Sequence, residues 1–271
     1  MKYDRIIRGG TVIDGTGRPP FMADLGIEQD RIAAVGDLAH DTATVEFDAT
    51  DLAVAPGFID AHTHDDGALL SEDGMVPKIS QGVTTVVAGN CGISLAPLVL
   101  DGAPPPPFTL VGGQEGFRFP RFADYIAELE RLGTPTNAAL LVGHTTLRRR
   151  IMSRLDRAAD DAEIASMREE VERAMAAGAF GLSTGLDYVA AVSSSTAEVK
   201  ALAQTAAAQG GLYVTHVRNY FDKLEEALEE AIEIARDAEA KLVISHHQVT
   251  GRQNFGKAPA TVARIDAARR T

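Results

Sequence analysis

Apolar positions in the first fifty-odd residues come in short runs punctuated by turns. Ile6, Ile7, Val12 and Ile13 flank Gly9-Gly10, Leu25 and Ile27 precede the polar turn Glu28-Gln29-Asp30, and Ile32 to Val35 follow it. No helical period occurs there. Residues 1–55 are expected to form a small β unit whose apolar face needs a partner.

From Leu52 onward the pattern changes to apolar runs alternating with amphipathic stretches. The runs are Val54 to Asp60, Val83 to Ala88, Ala138 to Val142, Ala179 to Leu182, Leu212 to Thr215 and Leu242 to Ser245. Near-continuous apolar runs of this length suit strands of a parallel sheet buried on both faces. The helices between them have legible ends. One starts near Asp160 with Glu163 in capping-box position, carries Ile164, Met167, Val171 and Met175 on one face, and stops at Gly178. Another starts near Ser195 with Glu198 placed likewise, carries Val199 and Leu202, and stops at Gly210. A third runs from about Asp222 with Leu224, Leu228, Ile232 and Ala235 inward, and Pro259 opens a last helix through Val262 and Ile265. Such alternation gives either a (β/α)8 barrel or a doubly wound sheet. The absence of a G-x-G-x-x-G after an early strand weakens the dinucleotide-binding form of the latter. Leu98 to Pro120, with prolines 104–107 and Gly112-Gly113, has no period and is expected to form a mobile cover near a site.

Composition narrows the function classes. A formal charge of −12 over 271 residues disfavours nucleic acid and anionic membranes as partners. One cysteine excludes an intrachain disulfide and fits a reducing compartment. The opening MKYDRIIRGG lacks a signal-peptide core, and no later run is long enough to span a bilayer. A soluble, cytoplasmic protein is expected.

The candidate chemistry lies at strand ends. His62 and His64 stand two apart after the first run, where strand alternation would turn both to one side. Cys91 follows the second run, His216 the fifth and His246 the sixth. In a barrel these carboxyl ends open on one face, so four strands would deliver four imidazoles and a thiol to one mouth. Zinc prefers nitrogen and sulfur ligands, and a thiolate shared between two ions is reasonable chemistry. Bound zinc lowers the pKa of water to about 7 and polarises an amide carbonyl, and a carboxylate must then carry the proton. Asp65 and Asp66 adjoin the histidine pair, although side chains just past a strand end are more often turn residues. His40 reads as a solvated side chain. His144 also follows a strand and suits a supporting or substrate-contacting role. His247, beside His246, faces the opposite way if the strand continues.

The stretches PGFIDAHTHDD, KISQGVTTVVAGNCGISLAPL, VGHTTLR, GLSTGLDY, YVTHVRN and ISHHQVTGRQNFG closely resemble the D-aminoacylases, the N-acyl-D-amino-acid deacylases of the amidohydrolase superfamily. The likeness runs in order from about Ile6 to Ala263. It implies an α/β fold, a TIM-like (β/α)8 barrel of the amidohydrolase type. The barrel over residues 56–271 is expected to be incomplete at about six strand units, beside an N-terminal β-sandwich portion over 1–55. The resemblance implies zinc, with one tight site and room for a second weaker one, held by His62, His64, Cys91, His216 and His246. It implies hydrolysis of a small-molecule N-acyl-D-amino acid, with a general-base aspartate lying beyond Thr271. Asp65, His144, His247 and Gln248 remain as supporting or substrate residues. Where the family has His-His-Lys, this chain has His246-His247-Gln248. Asp266, in a helical pattern, is not assigned as the missing base. The runner-up activity is cyclic-amide hydrolysis of the hydantoinase or dihydroorotase kind, against which stands the lack of a lysine in GAFGLSTG. The alternative from another class is a chain with the fold and little activity, self-associating through its open barrel.

Overall fold

The computed structural model describes residues 1–270, which form two compact units, Met1–Phe58 and Ile59 onward. In the first, β1 (Lys2–Val12), β2 (Phe21–Glu28), β3 (Arg31–Gly36) and β4 (Thr42–Asp48) make a sheet in the order β3-β2-β1-β4, with β5 (Ala53–Val54) also paired to β1. The β1–β2 and β2–β3 pairs are antiparallel, whereas β4 and β5 run parallel to β1. Tyr3, Ile6 and Leu38 form its small core. Ile32, Val35, Val45 and Phe47 stay exposed on the same unit.

The second unit is built on a six-stranded sheet: β6 (Phe58–Asp60), β7 (Val83–Ala88), β10 (Asn137–Gly143), β11 (Gly181–Gly185), β12 (Leu212–His216) and β13 (Lys241–Ile244). Between β7 and β10 the short strands β8 (Leu98–Val99) and β9 (Arg118–Phe119) pair antiparallel. From β7 to β13 every neighbouring pair in the large sheet is parallel, and each strand lies beside its predecessor in the chain. That sequential winding is the barrel alternative, in which the sheet curls and keeps its crossovers on one face. Among the described residues β6 and β13 are its edges.

The helices are α1 (Val76–Ile79), α2 (Phe122–Leu132), α3 (His144–Ile151), α4 (Asp161–Ala176), α5 (Thr196–Ala207), α6 (Leu224–Asp237) and α7 (Ala258–Arg269). Asp160 caps α4 in a full capping box with Glu163, and Met167 and Val171 are fully buried from that helix. No helix among the described residues is long and apolar enough to cross a membrane.

Four expectations need correction. Val54 to Asp60 is not one strand: Pro56-Gly57 interrupts it, so β5 joins the first sheet and β6 the second. β6 is not buried either, since Phe58 and Ile59 are more than half exposed. Leu98 to Pro120 is no loose cover. The β8–β9 ladder and two 3-10 turns organise it, and Leu98, Phe108, Val111, Phe117 and Phe119 are buried in the main core. Five large apolar side chains in 23 residues supply the burial that offsets the ordering of an aperiodic segment. In α7, Val262 is exposed and Thr261 is the buried residue, which accepts or donates a hydrogen bond with His247 at 2.9 Å.

Candidate metal centre

His62 and His64 lie two and four residues past the end of β6, in the loop rather than on the strand. What turns both to one side is Thr63 between them. Its backbone N–H and its hydroxyl both donate to the Val87 carbonyl on β7 at 3.0 Å, and it is buried. Lys78 of α1 braces the start of this loop, with Nζ 2.5 Å from Asp60 Oδ2 and 3.3 Å from Asp65 Oδ2.

Cys91 sits in the loop after β7 with φ +54°, a left-handed conformation that costs a non-glycine residue of order 1–3 kcal/mol. Buried hydroxyls hold the strain in place. Ser183 Oγ accepts from Gly92 N at 3.0 Å, and Thr146 Oγ1 accepts from Ser94 N at 2.9 Å. Ser94 Oγ accepts from Gly143 N at 3.0 Å, and Asn90 Nδ2 donates to Val87 O at 2.8 Å. His246, two residues past β13, is also left-handed at φ +33°. His216 is the last residue of β12, in register with Gly185.

These five residues converge. Cys91 Sγ lies 3.2 Å from His62 Nε2 and 3.4 Å from His246 Nε2. The rings run edge to face from His64 to His62 (5.6 Å), His62 to His246 (4.8 Å) and His246 to His216 (4.7 Å). Two triads result, His62-His64-Cys91 and Cys91-His216-His246, with ligand atoms mutually within 4.8 Å and the sulfur common to both.

The residues fit a metal ion on three counts. Nδ1 and Nε2 of His216 and Nδ1 of His64 are buried with no hydrogen-bond partner among the described residues, an arrangement that otherwise costs about 1–3 kcal/mol per group. Burial and the neighbouring imidazoles push His62 and His216 down to about 4, and burial also lowers His64 and His246, so neutral nitrogens offer their lone pairs. Tyr220 Oη is 3.0 Å from His246 Nδ1 and 3.5 Å from the Ser245 carbonyl. If Nδ1–H donates to Tyr220 and Tyr220 donates to Ser245, Nε2 is left free on the sulfur side. Burial raises the Cys91 thiol to about 12, so without a cation the sulfur keeps its proton.

The other expected site residues are placed differently. Asp65 is engaged with Lys78. Asp66 is buried, accepts from Gly89 N at 3.1 Å, and is raised to about 7 by that burial, so it faces backbone rather than the mouth. His144 is fully buried, its Nε2 donating to Glu198 Oε1 at 2.9 Å, and presents no surface to a substrate. His247 turns to Thr261 of α7, and Gln248 follows exposed in the same loop. His40 is exposed between β3 and β4, and Asp266 is exposed on α7. The sequence reading missed Tyr188 and Tyr220, which flank His216 at ring distances of 4.9 and 5.0 Å. It also missed Asp187, whose carboxylate is 4.0 Å from His216 Nε2. All three follow closely on strand ends, where a search confined to histidine and cysteine does not look. A cleft of about 600 Å³ opens beside His64 against Gly67, Leu70 and residues 109–118, so that packed segment does border the site.

The sequence pattern of the amidohydrolase family matches residues 45–268, which spans both triads. The chain belongs to the amidohydrolase family. Among curated relatives, this amidohydrolase is 50% identical over 266 residues to the D-aminoacylase of Alcaligenes xylosoxydans xylosoxydans, covering 98% of this chain and 55% of that protein. A crystal structure of D-aminoacylase superposes with a TM-score of 0.95 at 48% identity, over 99% of this chain and 56% of the other. The N-acyl-D-glutamate deacylase of Bordetella bronchiseptica, solved with zinc and a phosphonate mimic of the tetrahedral intermediate, superposes at 0.93 with 42% identity, over 100% of this chain and 56% of that one. The chain thus spans about half the length of the relatives it matches.

Proposed function

We propose that this chain is the metal-holding part of a zinc-dependent hydrolase of N-acyl-D-amino acids. The observation that carries the reading is the pair of histidine triads sharing one cysteine sulfur in a parallel sheet of the amidohydrolase kind. Cys91, His216 and His246 would hold the tighter ion, with His62 and His64 completing a second position through the same sulfur. Zinc, when bound there, supplies an acidified water and a Lewis acid for an amide carbonyl.

The chain's own residues provide the setting. Tyr220 hydrogen-bonds His246 Nδ1 and so would set its tautomer, and Thr63 and Lys78 hold the His62–His64 loop. The left-handed Cys91 turn brings its sulfur between the imidazoles of two different strand ends. Asp65 is paired with Lys78 and Asp66 accepts from Gly89 N, which argues against either as the proton carrier. The D-enantiomer and the acyl group are taken from what the relatives are named for.

The test is an assay of the protein carrying this chain on paired N-acetyl-D- and N-acetyl-L-amino acids and on a hydantoin. Hydrolysis of the D series, abolished by a chelator and restored by zinc, is expected. Preference for the L series or for ring opening would overturn the assignment.

A further inference from the structure

The block VGHTTLR supplies one half of a buried ion pair that the metal site itself does not use. Arg148 on α3 and Glu198 on α5 are both fully buried, with Arg148 Nη1 donating to Glu198 Oε1 at 2.5 Å. His144 donates to the same carboxylate oxygen, and Ala159 N donates to the other at 3.1 Å. The rest of the guanidinium is spent on carbonyls: Nη2 on Leu155 (3.1 Å) and Arg157 (2.7 Å), and Nε on Ala190 (3.2 Å). Glu198 therefore abandons the reciprocal capping bond its spacing suggests and turns inward, while Ser195 alone caps α5. Taking both charges out of water costs several kcal/mol per ion, which packing alone does not require.

The Ala190 carbonyl belongs to the turn after β11, and that turn reaches the metal centre. Leu186 N donates to the His216 carbonyl at 3.1 Å, and Ala191 N and Val192 N both donate to the Tyr188 carbonyl at 2.8 Å. The Tyr188 ring tilts over His216 at 4.9 Å, and its side chain lies beside Cys91, both packing against Gly185. A side chain at Gly185 would strike both the Tyr188 ring, at 2.7 Å, and the Cys91 carbonyl, so the close approach needs glycine there. A second arginine, Arg218, grips the Val192 carbonyl at 2.9 Å while paired with Glu230.

We propose that Arg148, locked by Glu198, is a positioning residue for the metal centre, fixing the 186–192 turn so that Tyr188 stays against His216 and covers Cys91. The proposal rests on reading Cys91 and His216 as ligands only for its consequence, because the geometry exists without an ion. The test uses two readouts. In metal-stripped protein, alkylation of the single cysteine by iodoacetamide reports how often the turn opens. In cobalt(II)-loaded protein, the sulfur-to-cobalt charge-transfer band reports the Tyr188 contact. Arg148→Lys keeps the charge and loses the forked grip, and Arg148→Met/Glu198→Met removes both charges so that neither is buried alone. Either variant should speed alkylation roughly threefold to tenfold, the loss of one or two net hydrogen bonds. Each should also shift the cobalt band in the direction that Tyr188→Phe does. Val171→Ala, which weakens the same core away from the turn, should leave both readouts unchanged. Wild-type alkylation rates in both Arg148 variants would overturn the positioning role. A cobalt-loaded parent protein without any thiolate band would instead overturn the ligand reading, and the metal-free alkylation series would still decide the clamp.

Discussion

Tyr220 and Glu198 are two side chains whose chemistry is set sharply by named partners, His246 for the first and Arg148 with His144 for the second. Tyr220 holds His246 Nδ1, and partners of this kind are typically worth 10- to 100-fold in metal affinity. Tyr220→Phe should therefore weaken zinc binding by about tenfold in competition with a chromophoric chelator while leaving the fold's melting temperature nearly unchanged. Burial opposes ionisation of Glu198, but the hydrogen bonds from His144 and Arg148 outweigh it and hold the carboxyl well below the usual range. A carboxyl depressed in the folded state contributes stability that is present above its unfolded pKa and lost as the pH falls through the folded value. The stability gap between the parent and Glu198→Gln should thus be widest near neutrality, about 3–5 kcal/mol for a broken buried pair. It should narrow progressively below the ordinary glutamate value of about 4.5. Urea unfolding at a series of pH values measures it; a gap that stays constant down to pH 2 would remove Glu198 as the ionised anchor.

At the level of elements, the segment from Leu98 to Pro120 divides what the sequence reveals from what it hides. Its lack of period suggests a loose cover, yet the β8–β9 pairing and the edge-to-face Phe108–Phe117 contact at 5.8 Å make it part of the core. Slow hydrogen exchange is expected at Leu100, whose N–H donates to Phe117 O, and at Val111. Phe117→Ala should cost about 3–5 kcal/mol by urea unfolding. Exchange across the whole segment as fast as in an unfolded peptide would contradict the packing. The strands β10, β11 and β12 and the N-terminal caps of α4 and α5 were legible because burial on both faces and capping leave local signatures, whereas β13 was legible from its apolar run although it is an edge with no buried residue. The His62–His64 loop was legible in outcome and not in cause: the alternation belongs to Thr63 docking on β7, a long-range contact that no local pattern encodes. Glu198 was read as a cap for the same reason, since Arg148 lies fifty residues earlier in the chain. The strained backbone at Cys91 likewise has no local marker, because cysteine does not favour φ above zero, and histidine's modest enrichment there is too weak to mark His246.

For the molecule as a whole, one sulfur atom is shared by two sets of imidazoles that, with it, come from four places in the sheet. The loops after β6, β7 and β13 and the end of β12 all contribute, so the site forms only when the long-range strand order is complete. The most direct measurement is zinc content by mass spectrometry of the purified protein, its Cys91→Ala variant and its His40→Ala variant, with folding checked by circular dichroism. Zinc is expected in the parent at or above about one ion per chain, most of it lost in Cys91→Ala because the shared sulfur serves both triads. His40→Ala, altered only in an exposed turn of the first unit, should retain the parent's zinc. A folded parent without zinc, or equal loss in the two variants, would contradict the shared-sulfur site.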